Sequence, residues 1–313
     1  MSTGPGLFSK CWFIAGPTAV GKTAASLLIA QSIDAEIVSM DSMAVYRHMD
    51  IGTAKPNAEE RSVVPHHLID LVDPSSEFSV SEYVNIVNTV VQDIQSRGRI
   101  ALFVGGTGLY LRSLLRGVFD GPEADEELRE KLEAQRLTKG NAWLLQQLHE
   151  VDPVSARRLH PNDVRRIIRA IEVHSVTGTP LSSQQNHPPL PESERPPVVL
   201  WIEPPRVWLH DRINRRVDQM MQRGLLEEVG QLLQRVPAPG KTARQGLGYR
   251  ELIDHLENKR SLRSAVEQIK IGTRQFAKRQ CTWFRGLEEC QSLTIDGTET
   301  PAQMASLISA AAD

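Results

Sequence analysis

The chain has 313 residues, 40% hydrophobic and 24% charged, a balance that excludes a fibrous or disordered chain and supplies a core for one or two domains. Its 36 Lys and Arg against 38 Asp and Glu leave a net charge of −2, so any polyanion has to be held by local basic patches. Cys11, Cys281 and Cys290 form no CxxC pair, which argues against a disulfide framework or zinc site, and no apolar run approaches the roughly 20 residues of a membrane span.

The first ten residues lack the basic start and apolar stretch of a signal peptide, so a cytoplasmic location is expected. Residues 11–15 (CWFIA) read as a buried strand, 23–33 as a helix and 35–39 as a second strand leading into Asp41. An irregular stretch follows through Pro56, Pro65 and Pro74. Residues 79–97 carry the clearest helix signal: Ser79 and Glu82 form a capping box, Tyr83, Val84, Val87, Val91 and Ile94 form the apolar stripe, and Gly98 stops it. Residues 100–104 read as another buried strand. Strands alternating with helices predict a parallel sheet wrapped in helices.

The rhythm changes near Gly121. Residues 122–177 show only helical patterning, and 180–197 are Pro-rich and loop-like. A strand returns at 198–203 (VVLWIE), followed by mostly helical sequence, a short strand at 292–295 and a last helix from Pro301. The expected architecture is an α/β phosphate-loop core formed by 1–121 and 196–313, interrupted by an α-helical insertion at 122–195.

Gly16, Pro17, Thr18, Ala19, Val20, Gly21, Lys22 and Thr23 fit GxxxxGK followed by Ser or Thr, between an expected strand and helix. In that pattern the glycines let backbone N–H groups converge on phosphates, and the helix N-terminus adds its positive end. Lys22 is placed to reach the outer phosphate and the Thr23 hydroxyl to hold Mg²⁺. An ATPase usually adds a core strand ending in Asp, whereas 100–104 runs into Gly105-Gly106-Thr107-Gly108. The loop therefore argues for phosphate binding without specifying hydrolysis.

Asp41, after the second strand, stands where ligand crevices form in open parallel sheets and is able to accept a proton or orient an amine; a turn or cap role is equally open. The glycines around Thr107 either serve the turn or let a substrate approach closely. His66-His67 lacks a third ligand at usual spacing, which favours hydrogen bonding or packing over metal.

Two stretches are locally basic. Arg157, Arg158, Arg165, Arg166 and Arg169 face one acid, Asp163, on a helix expected to be capped by Asn162 with Val164, Ile168 and Ile171 inward. Lys270, Arg274 and Lys278 share a helix face, beside Arg279 and Arg285, with Phe276, Trp283 and Phe284 interleaved and no acid in the run. One such face is ordinarily just solvated; two, with aromatics, point toward RNA.

In order, GPTAVGKT (16–23), DSMAVYRHMDIGTAKP (41–56), PHHLID (65–70), FSVSEY (78–83), GGTGLYL (105–111), NDVRRIIRAIEV (162–173), QGLGYREL (245–252) and TRQFAKRQCTWFR (273–285) resemble the motifs of the bacterial-type tRNA dimethylallyltransferases, also called tRNA isopentenyltransferases. The resemblance spans about 11–285. It implies transfer of a dimethylallyl group from dimethylallyl diphosphate to N6 of the adenine just 3′ of the anticodon, with Mg²⁺ and a monomeric enzyme. It implies a diphosphate cradle at 18–23, Asp41 as general base with Thr107 beside it, and Arg216 steadying the diphosphate with Lys22. Asp41, Ser42, Met43, Ala44, Thr107, Arg129, Arg165, Arg166, Arg169, Arg274, Lys278 and Arg279 would hold the anticodon stem-loop. Two positions depart from the family: Ala44 where Gln is common, and Phe276 where Tyr is common. A dimethylallyltransferase acting on free adenine nucleotides, or a metabolite kinase, shares the phosphate loop, but a mononucleotide needs neither the helical insertion nor two basic patches. The paired-aspartate motif of terpene prenyltransferases is missing.

Overall fold

The computed structural model describes residues 6–119, 121–185 and 188–312. The chain divides into two compact units, one within residues 117–188 and the other built from the two flanking segments. The sequence reading put the limits of the inserted unit at 122 and 195.

The larger unit is built on six parallel strands, β1 (Trp12–Ala15), β2 (Ala35–Met40), β3 (His66–His67), β4 (Ile100–Gly105), β5 (Val198–Glu203) and β6 (Gln291–Thr294). They lie in the order β3-β2-β4-β1-β5-β6, with β1 central. Its helices before the insertion are α1 (Lys22–Ser32), α2 (Ala58–Val63), α3 (Val80–Ser96) and α4 (Gly108–Arg116). The helical unit holds α5 (Glu126–Lys139), α6 (Asn141–Val151), α7 (Pro153–Arg158), α8 (Val164–Thr177) and α9 (Leu181–Gln184). The larger unit resumes with α10 (Arg206–Gln222), α11 (Leu225–Leu233), α12 (Lys241–Arg244), α13 (Tyr249–Leu256), α14 (Leu262–Arg285) and α15 (Pro301–Ala310).

A parallel sheet covered on both faces needs apolar residues on both sides of each strand, which is why β1, β4 and β5 read as continuous apolar runs. On one face Phe13 and Phe103, paired in register, stack at 4.4 Å, with Phe8 edge-on to both. On the other, Ile14, Leu102, Leu200 and Ile202 pack with Ile29 of α1 and Met304 and Ile308 of α15. Helix α3 has the expected Ser79–Glu82 capping box, and all five residues of its apolar stripe are buried.

The stretch 41–74 is less irregular than its prolines suggested, since it contains α2 and the two-residue strand β3. Its hub is Lys55, whose side chain is 1% exposed and whose Nζ donates to the Tyr46 carbonyl (2.6 Å), Asp50 (2.7 Å) and Asp70 (2.6 Å). Two carboxylates around one buried ammonium satisfy its charge and gather the segment. His66 and His67 pair with β2, and their rings bond the Val64 carbonyl and Glu36, as a packing role requires.

The helical unit has its own core of Leu132, Leu144, Leu148, Ile167, Ile168 and Val173. Buried Asp152 caps α7 and accepts hydrogen bonds from the backbone N–H and hydroxyl of both Ser155 and Ser182, tying α9 to α7. Two details of α8 differ from the sequence reading. Its N-cap is Asp163, without a side-chain cap hydrogen bond, and Asn162 instead accepts a hydrogen bond from Asn141. Its buried face is Ile167, Ile168, Ala170 and Val173, with Val164 and Ile171 only partly covered, because α8 packs against α6 on a face turned from the expected stripe.

Candidate active site

The loop between β1 and α1 is held by three contacts from within the larger unit. Ala19 sits in the left-handed region at φ 67°, a conformation costing an L residue about 1–2 kcal/mol, and its carbonyl accepts a hydrogen bond from Arg212 Nε at 2.8 Å. Gly21, at φ 105°, caps α1. Lys22 Nζ folds back to donate to the carbonyls of Gly16 (2.9 Å) and Pro17 (2.8 Å). The Thr18 N–H donates to Gln280 Oε1 at 2.9 Å, so it is already taken, while the first N–H groups of α1 lack helical partners.

At the end of β2, Asp41 Oδ1 accepts from the N–H groups of Met43 (2.8 Å) and Ala44 (3.3 Å), which closes a turn and fixes the carboxylate. The Ser42 N–H donates to Thr107 Oγ1 at 3.0 Å, and the Thr107 N–H donates to the Met40 carbonyl at 3.0 Å. The ends of β2 and β4 are thereby joined, with Asp41 and Thr107 side by side. Beneath them Tyr83 and Tyr110 stack at 3.7 Å, and Tyr83 Oη donates to the Ser39 carbonyl.

The glycines around Thr107 make room for protein and not for substrate. A Cβ on Gly105 would lie 2.2 Å from the Met40 carbonyl oxygen, on Gly106 2.2 Å from Gln280 Nε2, and on Gly108 2.2 Å from the Trp283 ring. Neighbouring β2 and α14 fill the space that the sequence reading left open to a ligand.

These elements surround a cavity of about 1050 Å³. Of the residues expected to hold ligand, Thr18, Ala19, Gly21, Lys22, Thr23, Asp41, Ser42, Met43, Ala44, Thr107, Arg216 and Arg279 line it. Gly16, Pro17 and Val20 do not: the first two supply the carbonyls that hold Lys22, and Val20 is 1% exposed in the core. Ala44 is almost buried and brings only a methyl group.

The lining is cationic. Lys22, Lys55, Arg212, Arg215, Arg216, Arg223, Arg250 and Arg279 face two acids, Asp41 and Glu60. Burial, assisted by Arg216, pushes the Lys22 ammonium down to about 7, with Asp41 working in the opposite direction. Burial also lowers Arg216; Arg212 and Arg223 add to that, and Asp41 again opposes it. Concentrated positive charge with one fixed carboxylate at its edge suits a multiply charged anion beside a group that must lose a proton.

A divalent ion fits this donor set only with a ligand's help. No cluster of three His, Cys, Asp or Glu suited to a metal occurs among the described residues. Thr23 lines the cavity, and its hydroxyl makes no hydrogen bond among the described residues. Mg²⁺ often takes few protein oxygens and completes its shell with phosphate and water, so Thr23 suffices on the protein side.

The basic patches change in the structure. Arg165 and Arg166 are exposed, with no ion pair among the described residues. Arg129 and Arg169 instead grip the buried Glu172 carboxylate, which also accepts the Asp125 N–H. On α14, Lys270 pairs with Asp218 of α10 at 2.7 Å and with Glu267 of its own helix at 3.8 Å, and Arg274 bonds Asn214, because α10 packs alongside. Lys278 and Arg279 remain exposed, with Arg279 over the Phe276 ring at 5.9 Å. Phe284 is 1% exposed, a core residue and not a stacking surface.

Other contributors escaped the sequence reading. Arg212 and Arg223 recur at helical spacing with the expected Arg216 after Pro205, a signal that was present but diluted by Asp211 and Asp218. Glu228 accepts the N–H groups of Asp50 (2.9 Å), Ile51 (2.7 Å) and Gly52 (3.1 Å) and the Tyr249 hydroxyl (2.6 Å), which fixes another wall of the cavity. Gln280 meets the phosphate loop from 262 residues away, and no local pattern announces it.

The family model for IPP transferase matches residues 44–287. A tRNA dimethylallyltransferase from Symbiobacterium thermophilum is 48% identical over 287 residues, covering 91% of this chain and 89% of that protein. One from Caldanaerobacter subterraneus is 43% identical over 290 residues, 92% of each. Among solved structures, the full-length tRNA isopentenylpyrophosphate transferase from Bacillus halodurans superposes with a TM-score of 0.69 at 38% identity, covering 97% of each chain. A eukaryotic dimethylallyltransferase described as acting on tRNA gives a TM-score of 0.74 at 30% identity, covering 93% of this chain and 74% of that one.

Proposed function

We propose a reaction on the premise that this chain belongs to the IPP transferase family: transfer of a dimethylallyl group from dimethylallyl diphosphate to N6 of the adenine just 3′ of a tRNA anticodon. The observation that carries the proposal is one cavity in which a phosphate loop with Lys22 and Arg216 lies beside the Asp41–Thr107 pair. The relatives are named tRNA dimethylallyltransferases, and a solved eukaryotic one is described as acting on tRNA, which supports the reading.

An aromatic amine is a weak nucleophile, so departure of the diphosphate has to drive the reaction. As the allylic carbon–oxygen bond breaks, negative charge grows on the bridging oxygen. Lys22, Arg216 and the N-terminal N–H groups of α1 are fixed donors for that charge. Bound at Thr23 and the diphosphate, Mg²⁺ would supply further charge neutralisation. The new bond forms between N6 and the allylic carbon, and the N6 proton passes to Asp41, whose orientation is set by its own turn. Thr107, bonded to Ser42, is placed to hold the amine side. The adenine has to leave its stack to enter, at a cost of a few kcal/mol. We assign the grip on the RNA to Arg165 and Arg166 of the helical unit and to Lys278 and Arg279 of α14, four exposed members of the two basic patches.

The test is transfer of label from dimethylallyl diphosphate to an unmodified anticodon stem-loop or to AMP. Label enters the stem-loop alone; entry into AMP and not RNA would replace this reading with the nucleotide transferase. In the same assay Asp41→Asn abolishes transfer while diphosphate binding stays within about threefold of wild type.

A further inference from the structure

We infer that Gln280 is a positioning residue that sets the separation between the phosphate loop and the Gly106–Thr107 turn, and thereby the approach of amine to allylic carbon. The inference rests on the reaction proposed above. Gln280 lies on the buried stripe of α14, between Ala277 and Phe284, and is 6% exposed. Its amide is spent at both ends: Oε1 accepts from the Thr18 N–H at 2.9 Å, and Nε2 donates to the Gly106 carbonyl at 2.8 Å. One side chain thus bridges the loop after β1 and the turn after β4.

Each side of that bridge leads to a different substrate. Thr18 belongs to the loop whose Lys22 and Thr23 face the diphosphate. Gly106 precedes Thr107, which bonds Ser42 beside Asp41. The missing side chain at Gly106 is explained by the same contact, since Nε2 lies 2.2 Å from where a Cβ would stand. Only a planar group with a donor and an acceptor on one carbon satisfies both partners, so the requirement is for glutamine and not for bulk. Displacement of a reacting group by about 1 Å costs on the order of 10²-fold in rate, which sets the expected size of the effect.

Gln280→Met keeps length and apolar volume but removes both hydrogen bonds, and Gln280→Glu keeps the acceptor and loses the donor while ionised. In the stem-loop transfer assay, Gln280→Met lowers kcat by about 30- to 100-fold while KM for each substrate moves by less than about threefold. Gln280→Glu is similarly impaired at pH 8 but regains activity relative to wild type toward pH 6, because a buried carboxyl that takes up a proton donates again to Gly106. A simple packing role would give parallel pH profiles. Amide hydrogen exchange of Gln280→Met supplies a readout independent of turnover: Thr18 and the 106–108 turn lose protection together. Retained kcat in Gln280→Met, a pH profile of Gln280→Glu parallel to wild type, or unchanged protection at Thr18 would each overturn the assignment. If the wild-type protein transfers nothing to RNA, the proposed reaction fails, and the exchange data still decide whether Gln280 couples the two loops.

Discussion

Lys22 makes diphosphate binding depend on pH. Burial, with Arg216 adding, pushes its ammonium down to about 7, where Nζ donates to the Gly16 and Pro17 carbonyls. A bound diphosphate brings at least two negative charges and restores the ordinary lysine value of about 10.4 or higher. Between those values, binding takes up a proton: about 0.9 at pH 8. Affinity falls tenfold per pH unit above 7, so it is about 100-fold weaker at pH 9 than at pH 6, or roughly 2.7 kcal/mol. Folding stability of the protein alone shows the opposite trend. Its folded-state value lies below the unfolded one, so the unfolded chain holds more protons between about 7 and 10.4, and stability rises with pH across that window. Isothermal titration with a non-hydrolysable thiolo analogue of dimethylallyl diphosphate, in two buffers of different ionisation enthalpy, measures both affinity and proton uptake. Lys22→Met binds weakly but without the extra slope. Wild-type and Lys22→Met affinities that run parallel from pH 6 to 9, with no proton uptake, would refute the reasoning.

The double variant Arg165→Ala, Arg166→Ala weakens stem-loop binding and flattens its log–log salt dependence by about 1.4 to 1.8, because two exposed guanidiniums no longer displace counterions; an unchanged slope places the RNA elsewhere. Glu172→Ala lowers the stability of the helical unit by about 3 kcal/mol in chemical denaturation. That is the low end for truncating a buried ion pair, since Arg129 and Arg169 are each about a third exposed and are able to rehydrate. A loss below about 1 kcal/mol would show that Glu172 does not hold α5 to α8.

Local chemistry carried much of this protein's organisation. The phosphate loop is legible because Gly16, Gly21, Lys22 and Thr23 do their work within eight consecutive residues. Helix α3 is legible because its cap and stripe obey one period, and β1, β4 and β5 because burial on both faces makes them apolar throughout. The edge strand β3 is not legible, since two residues have no period and pair only where β2 already stands.

The resemblance to known transferases located Asp41, Thr107 and Arg216, and the cavity gathers all three. What tertiary structure alone decided is which charges are free and what each glycine serves. Arg169 looked like Arg165 in the sequence until Glu172 claimed it, and Lys270 gained its shorter ion pair only when α10 brought Asp218 alongside. Gly106 stood open between a turn role and room for a ligand until Gln280 filled the space beside it. A linear sequence records which groups are present, but their partners depend on contacts between segments far apart in the chain. Proximity at that range is a property of the packed sheet and helices, not of any stretch of residues.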